Sequence, residues 1–160
     1  MLNSMKFLVG IAAVVTCASP TAAAWITKDY DEFGEYLAAA GANEGQVEFQ
    51  IVCSIDYYDN LAITLFTGEP YDPGTSYSDE VPLSVMTDGR QQPVAYGSFE
   101  DYDGELVVVS DTTRDETLAH VLGAMATSKS TINVQFYQRE YRFSPEGLAT
   151  ALLYLSEKCT

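Results

Sequence analysis

Apolar residues recur mostly at every second position up to Asp111, the mark of strands with one wet face. Val47, Phe49, Ile51 and Cys53 alternate with Glu48, Gln50 and Val52. Leu61, Ile63 and Leu65 share one face of Leu61–Thr67, and Val81, Leu83 and Val85 one face of Val81–Thr87. Asp88-Gly89 is a strong hairpin turn signal, returning the chain over Gln91–Phe99, where Pro93 calls for a sheet edge or a bulge. Asp103-Gly104 predicts a second hairpin into Leu106–Val109. One stretch breaks the alternation. Phe33, Tyr36, Leu37 and Ala40 recur at steps of three and four, predicting a short helix over Asp29–Ala40 that Gly41 stops.

From Thr113 the period changes. Thr113-Arg114-Asp115-Glu116 has the form of a capping box, and Leu118, Val121, Leu122 and Met125 then make an apolar stripe about three turns long. Alternation returns in Thr131–Tyr137, with Ile132, Val134 and Phe136 inward and Arg139–Phe143 as its partner. Ser144-Pro145-Glu146 reads as a cap with proline at the first helical position, opening a last helix that buries Leu148, Ala151, Leu152 and Leu155. The pattern predicts an α+β fold. Its sheet is antiparallel, a sandwich or partial barrel of six or seven strands, with two or three packed helices including a C-terminal one.

The first 24 residues read as a signal peptide. Lys6 is the one charge, Phe7–Ala18 is apolar, and Ala22 and Ala24 fill the small positions of a cleavage site before Trp25. The apolar run is about 12 residues, short of the ~20 a membrane-spanning helix needs. A lipoprotein anchored at Cys17 is the alternative. Residues 25–160 then form one acidic globular domain in the periplasm or outside the cell. Cleavage removes Cys17 and leaves Cys53 and Cys159, which can pair in only one way. That disulfide would close a 107-residue loop, worth about 4.7 kcal/mol in the chain-entropy model.

Charge narrows the partners. Past the leader stand seven basic and 23 acidic residues, a net charge of −16. Between Asp29 and Asp111 there are 18 acids and a single base, Arg90. Such a field repels nucleic acid and anionic lipid; it is either a solvated acidic surface or one that attracts a basic protein or cations.

Motifs for catalysis are missing. His120 is the only histidine, and its place opposite the apolar stripe points it at water rather than at a nucleophile. No phosphate loop, nucleophile elbow or zinc set is present, and the pattern calls for no metal and no cofactor. Asp101–Glu105 reads as a plain hairpin turn rather than a calcium loop, because Phe99 and Ser110 would fill ligand positions of the EF-hand pattern. Carboxylates alone leave a two-acid hydrolase open on counting. The binding candidates lie in the tyrosine-bearing loop Gly68–Glu80, namely Tyr71, Asp72, Tyr77, Asp79 and Glu80, because tyrosine supplies contact area at low entropic cost. Tyr57 and Tyr58, with Asp56 and Asp59, form a second candidate.

The stretch from Ile132 to Phe143, followed by Gly147-Leu148, Ala151-Leu152, Leu155 and Cys159, resembles the ending of small exported bacterial proteins. These are of the invasion-associated locus B and type VI secretion accessory kinds. The resemblance covers about 30 residues, and the paired cysteines expected in the N-terminal half of the invasion family are absent. It implies a bacterial envelope protein without catalysis and carries over no site residues. The expected function is therefore an exported binding protein, for example an inhibitor or immunity factor for a basic protein. The alternatives are an accessory component of an envelope or secretion assembly, a carboxylate hydrolase and a cation-binding module.

Overall fold

The computed structural model describes residues 24–30, 35–41, 46–54, 61–113 and 115–159. These form strands β1 (Ile26–Tyr30), β2 (Glu35–Gly41), β3 (Glu48–Ser54), β4 (Leu61–Pro70), β5 (Val81–Thr87), β6 (Arg90–Gln91), β7 (Ala95–Tyr102) and β8 (Glu105–Asp111). Helix α1 (Glu116–Ala126), β9 (Ile132–Phe136), β10 (Arg139–Phe143) and α2 (Leu148–Lys158) follow. All pairings are antiparallel, in the order β1-β2-β3-β4-β8-β7-β5-β9-β10, with β6 beside β5. The sheet curls into a half-barrel, and both helices fill its concave side. Leu118, Val121, Leu122 and Met125 of α1 and Leu148, Ala151 and Leu155 of α2 share one core with Phe49, Ile51, Ile63, Leu65, Val108, Val134 and Phe143. The inward sets expected from alternation in β3, β4, β5 and β9 are the buried ones, except that Leu61 is only partly covered.

Four expectations need correction. First, the region expected as a helix over Asp29–Ala40 contains the end of β1 and most of β2. Tyr36 and Ala40 are four apart, which satisfies a strand's period as well as a helix's. Leu37 and Ala39 are buried on one face of β2, while Tyr36 opposes Cys53 on the other and meets Tyr154 of α2 edge-on at 6.2 Å. A strand that is apolar on both faces loses the alternation that would have revealed it. Phe33 lies outside the described residues. Second, the antiparallel α+β architecture is as expected, but the described residues give it ten strands rather than six or seven. Besides β1 and β2, the expected strand Gln91–Phe99 splits at Pro93. The Gln92 amide donates to the Val85 carbonyl at 2.8 Å and the next pair is Ala95 with Leu83, so Pro93 and Val94 oppose the single residue Ser84 in a bulge.

Third, the cap of α1 is Asp115 rather than Thr113. Asp115 Oδ1 accepts the Thr117 amide at 2.9 Å. The Thr113 amide and hydroxyl both donate instead to Asp111 Oδ1. Fourth, α2 starts at Leu148, not Pro145, behind Gly147 at φ 84°. The carbonyls just before it are used by Trp25. Its backbone N–H donates to the Glu146 carbonyl at 2.9 Å and its indole Nε1–H to the Ser144 carbonyl at 2.8 Å. The Trp25 ring packs edge-on to Phe49 at 5.8 Å, and Phe49 to Phe143 at 5.6 Å. The segment before β1 is thereby bound to the turn between β10 and α2.

Cys53, in β3, and Cys159, which caps α2, are joined as a disulfide with a Cα–Cα distance of 6.2 Å. The bond ties α2 to the first half of the sheet. Lys158 lies over the Tyr36 and Tyr154 rings at 5.1 and 5.7 Å, a cation–π contact at the same seam. No described helix is long and apolar enough to cross a membrane.

Candidate functional site

Three connections meet at one end of the half-barrel: the segment from Tyr71 to Glu80, the Asp103-Gly104 turn and the Tyr137-Gln138 turn. Each is shaped by local chemistry. Asp103 and Gly104 both have positive φ (51° and 86°), as a tight two-residue hairpin requires, and the Gly104 amide donates to Asp101 Oδ1 at 2.8 Å. β4 reaches this end through a bulge between Phe66 and Glu69 that turns on Gly68 at φ 72°. The Gly68 amide donates to Glu105 Oε1 at 2.9 Å, and the Tyr71 amide to the Gly104 carbonyl at 2.8 Å. The loop therefore leaves β4 already fastened to the neighbouring turn.

Within the loop, Asp72 folds the chain back on itself. Its carboxylate accepts the Gly74 amide and the Thr75 hydroxyl, each at 2.9 Å, and its carbonyl accepts the Thr75 amide at 3.0 Å. The Gly74 amide, then the Thr75 hydroxyl, hold the Asp72 carboxyl below the ordinary aspartate value, against a small opposing effect of burial. The fold-back stacks Tyr71 on Tyr77 with centroids 5.1 Å apart, and the Asp72 amide donates to the Tyr77 hydroxyl oxygen at 3.1 Å. Tyr77 then meets Phe99 at 5.5 Å, and Phe99 stacks on Tyr137 at 5.9 Å with planes 17° apart. Phe99 and Phe136 carry this row into the core. Asp72 lies in the loop between the two tyrosines, and Glu69, Asp103 and Glu105 line a shallow hollow with Gln46, Gly68, Pro70 and Gly104 at the same end. Arg139 lies over the Phe136 ring at 5.7 Å and is ion-paired to Glu69 at 2.5 Å.

The predicted binding residues fall into two places. Tyr71, Asp72 and Tyr77 belong to the aromatic end. Asp79 and Glu80 instead line a shallow groove with Tyr96, Gly97, Asp115 and Thr117, beside the start of α1. There the Ser78 hydroxyl donates to the Glu80 carbonyl at 2.8 Å. Tyr57, Tyr58, Asp56 and Asp59 lie outside the described residues. His120 is exposed on α1.

No family model, no curated protein and no solved structure matches this chain. Its function is read from its own surface.

Two carboxylates that the sequence placed only in a hairpin turn and a capping box organise the parts around these surfaces. Asp88, in the β5–β6 turn, receives the Ser130 hydroxyl and amide at 2.7 Å, the Lys129 amide at 2.9 Å and the Ser128 hydroxyl at 2.9 Å. These donors, the Ser130 hydroxyl foremost, hold its carboxyl far below the ordinary value. The clamp joins residues about 40 apart in sequence, so no local pattern foretells it. Asp115 bridges helix and sheet, because its Oδ2 accepts the Tyr96 amide at 2.8 Å while Oδ1 caps α1. Burial works to raise its pKa, but the Thr117 and Tyr96 bonds outweigh it and the net shift is downward. An aspartate directly before an apolar helical stripe was the available signal.

Proposed function

We propose that the chain is an exported, non-catalytic binding protein of the bacterial envelope. It recognises a basic protein through the aromatic, carboxylate-rimmed end of the half-barrel, in the manner of an inhibitor or immunity factor. The observation that carries this reading is the row Tyr71–Tyr77–Phe99–Tyr137. Tyr71 stacks on Tyr77 and Phe99 on Tyr137, with Tyr77 tilted against Phe99 between them; the row stays accessible at Tyr137 (52% exposed), and the Asp72 carboxylate lies in its loop with Glu69, Asp103 and Glu105 at the same end. Aromatic rings supply contact area, while the acidic rim steers and selects an oppositely charged partner. The loop's internal bonds add pre-organisation, so little entropy remains to be lost on binding.

The test is affinity capture from envelope extract with the protein from Trp25 onward, disulfide intact, at about 20 and about 300 mM salt. The captured protein is then titrated against Tyr77→Ala and Asp72→Lys. A basic partner whose affinity drops with salt and with either substitution supports the reading. A partner indifferent to both, or none at either salt, rejects it.

A further inference from the structure

Among the described residues β10 ends the order of strands, with β9 on one side and no strand on the other. Its register settles which backbone groups face outward. Phe136 pairs with Arg139 across the two-residue turn Tyr137-Gln138, and the closing pair of such a hairpin is hydrogen-bonded. By alternation, Arg139, Tyr141 and Phe143 turn their N–H and C=O groups to β9, and Glu140 and Arg142 turn theirs to the open side. The side chains divide likewise. Tyr141 and Phe143 are buried on the inner face, and Glu140 and Arg142 are exposed on the outer one.

We infer that β10 pairs with β10 of a second copy of this chain, antiparallel across a twofold axis at Tyr141. In that register Glu140 stands opposite the partner's Arg142, and Arg142 opposite the partner's Glu140. All four outward backbone groups on each strand are then bonded. Glu-Tyr-Arg is its own charge complement when read in reverse, the self-complementarity that a twofold contact needs. The position on the molecule agrees. From Arg114 to the C-terminus there are five bases and five acids, against 18 acids from Asp29 to Asp111. This is the part of an acidic chain that two copies bring together with least repulsion. Charges placed only to keep an edge from pairing would do so best with one sign. Here the signs alternate so that a reversed copy meets its opposite. The contact extends one half-barrel sheet into the other, and it is read by self-association alone, so it does not depend on the binding function proposed above.

The experiment is sedimentation equilibrium of the protein from Trp25 onward, from about 5 to about 500 µM, with E140R, R142E and the double variant E140R/R142E. The wild type is expected to show a monomer–dimer equilibrium. Each single variant sets like charges opposite each other twice across the axis and raises the dissociation constant at least about tenfold. The double variant restores opposite charges and returns it to within about threefold of wild type. The Asn133 side chain donates to Glu140 Oε1 at 3.0 Å. E140R loses this bond and so does the double variant, so recovery in the double variant isolates the contact between copies. Matching circular dichroism spectra establish that the variants fold. A wild type that stays monomeric throughout, single variants that dimerise as wild type does, or a double variant no better than the singles would each overturn the inference.

Discussion

Trp25 is the only tryptophan and the first residue of the expected mature chain, where a side chain would ordinarily be dispensable. Here it is 6% exposed, packed on Phe49, and bonded through its indole to the Ser144 carbonyl. Burying a ring of this size removes about 200 Å² from water. At about 25 cal/mol per Å² that contributes about 5 kcal/mol, in line with the ~3–5 kcal/mol lost in large-to-alanine core substitutions. Trp25→Ala is thus expected to destabilise by about 4 kcal/mol. For a domain of this length that lowers Tm by about 14 °C. Trp25→Phe keeps most of the apolar area but leaves the Ser144 carbonyl without its donor, and should cost about 1 kcal/mol. Urea unfolding followed by far-UV circular dichroism measures both. In the wild type, tryptophan fluorescence and circular dichroism should report one coincident transition, because Trp25 is built into the core. If Trp25→Ala unfolded within about 1 kcal/mol of wild type, or fluorescence changed well before circular dichroism, Trp25 would not be binding the segment before β1 to the β10–α2 turn.

Three further outcomes are expected. Replacing both Cys53 and Cys159 by serine should cost about 4–5 kcal/mol, because the unfolded chain regains the freedom of a long loop; urea midpoints with and without reductant should differ for wild type and coincide for the variant. Gly97→Ala should destabilise by about 1–3 kcal/mol, because a Cβ there would stand 2.5 Å from the Val109 carbonyl oxygen and would force β7 from β8; a melting temperature equal to wild type's would contradict this. Asp88 has a folded pKa below its unfolded one, so its contribution is present above the unfolded value near 3.9 and is lost as pH falls towards the folded one. Asp88→Asn should accordingly be less stable than wild type at pH 7, with a gap that closes as pH drops below about 4, and a gap constant with pH would count against the clamp.

Most strands were legible because one face of each is buried, so alternation in β3, β4, β5 and β9 maps onto the half-barrel's inner wall. The hairpins at Asp88-Gly89 and Asp103-Gly104 were legible because the turn chemistry is local. β2 was not, since Leu37 and Ala39 are buried on the face away from Tyr36 and the strand shows no polar side. The cap positions slipped by two or three residues because distant groups competed for them: Asp111 took the Thr113 hydroxyl, and Trp25 took the carbonyls before α2. At the candidate site, sequence could nominate the tyrosines of the loop after β4. It could not reveal that Tyr71 and Tyr77 stack onto Phe99, or that Asp79 and Glu80 belong to a separate groove, because both depend on contacts across the sheet.

The most direct test of the binding account is the affinity of the captured partner for wild type, Asp72→Lys and Asp79→Lys across a salt series. The account predicts a basic partner whose affinity weakens steadily with salt, with Asp72→Lys costing about tenfold or more and Asp79→Lys, on the separate groove, costing less. Equal affinity for all three proteins at every salt concentration would contradict it.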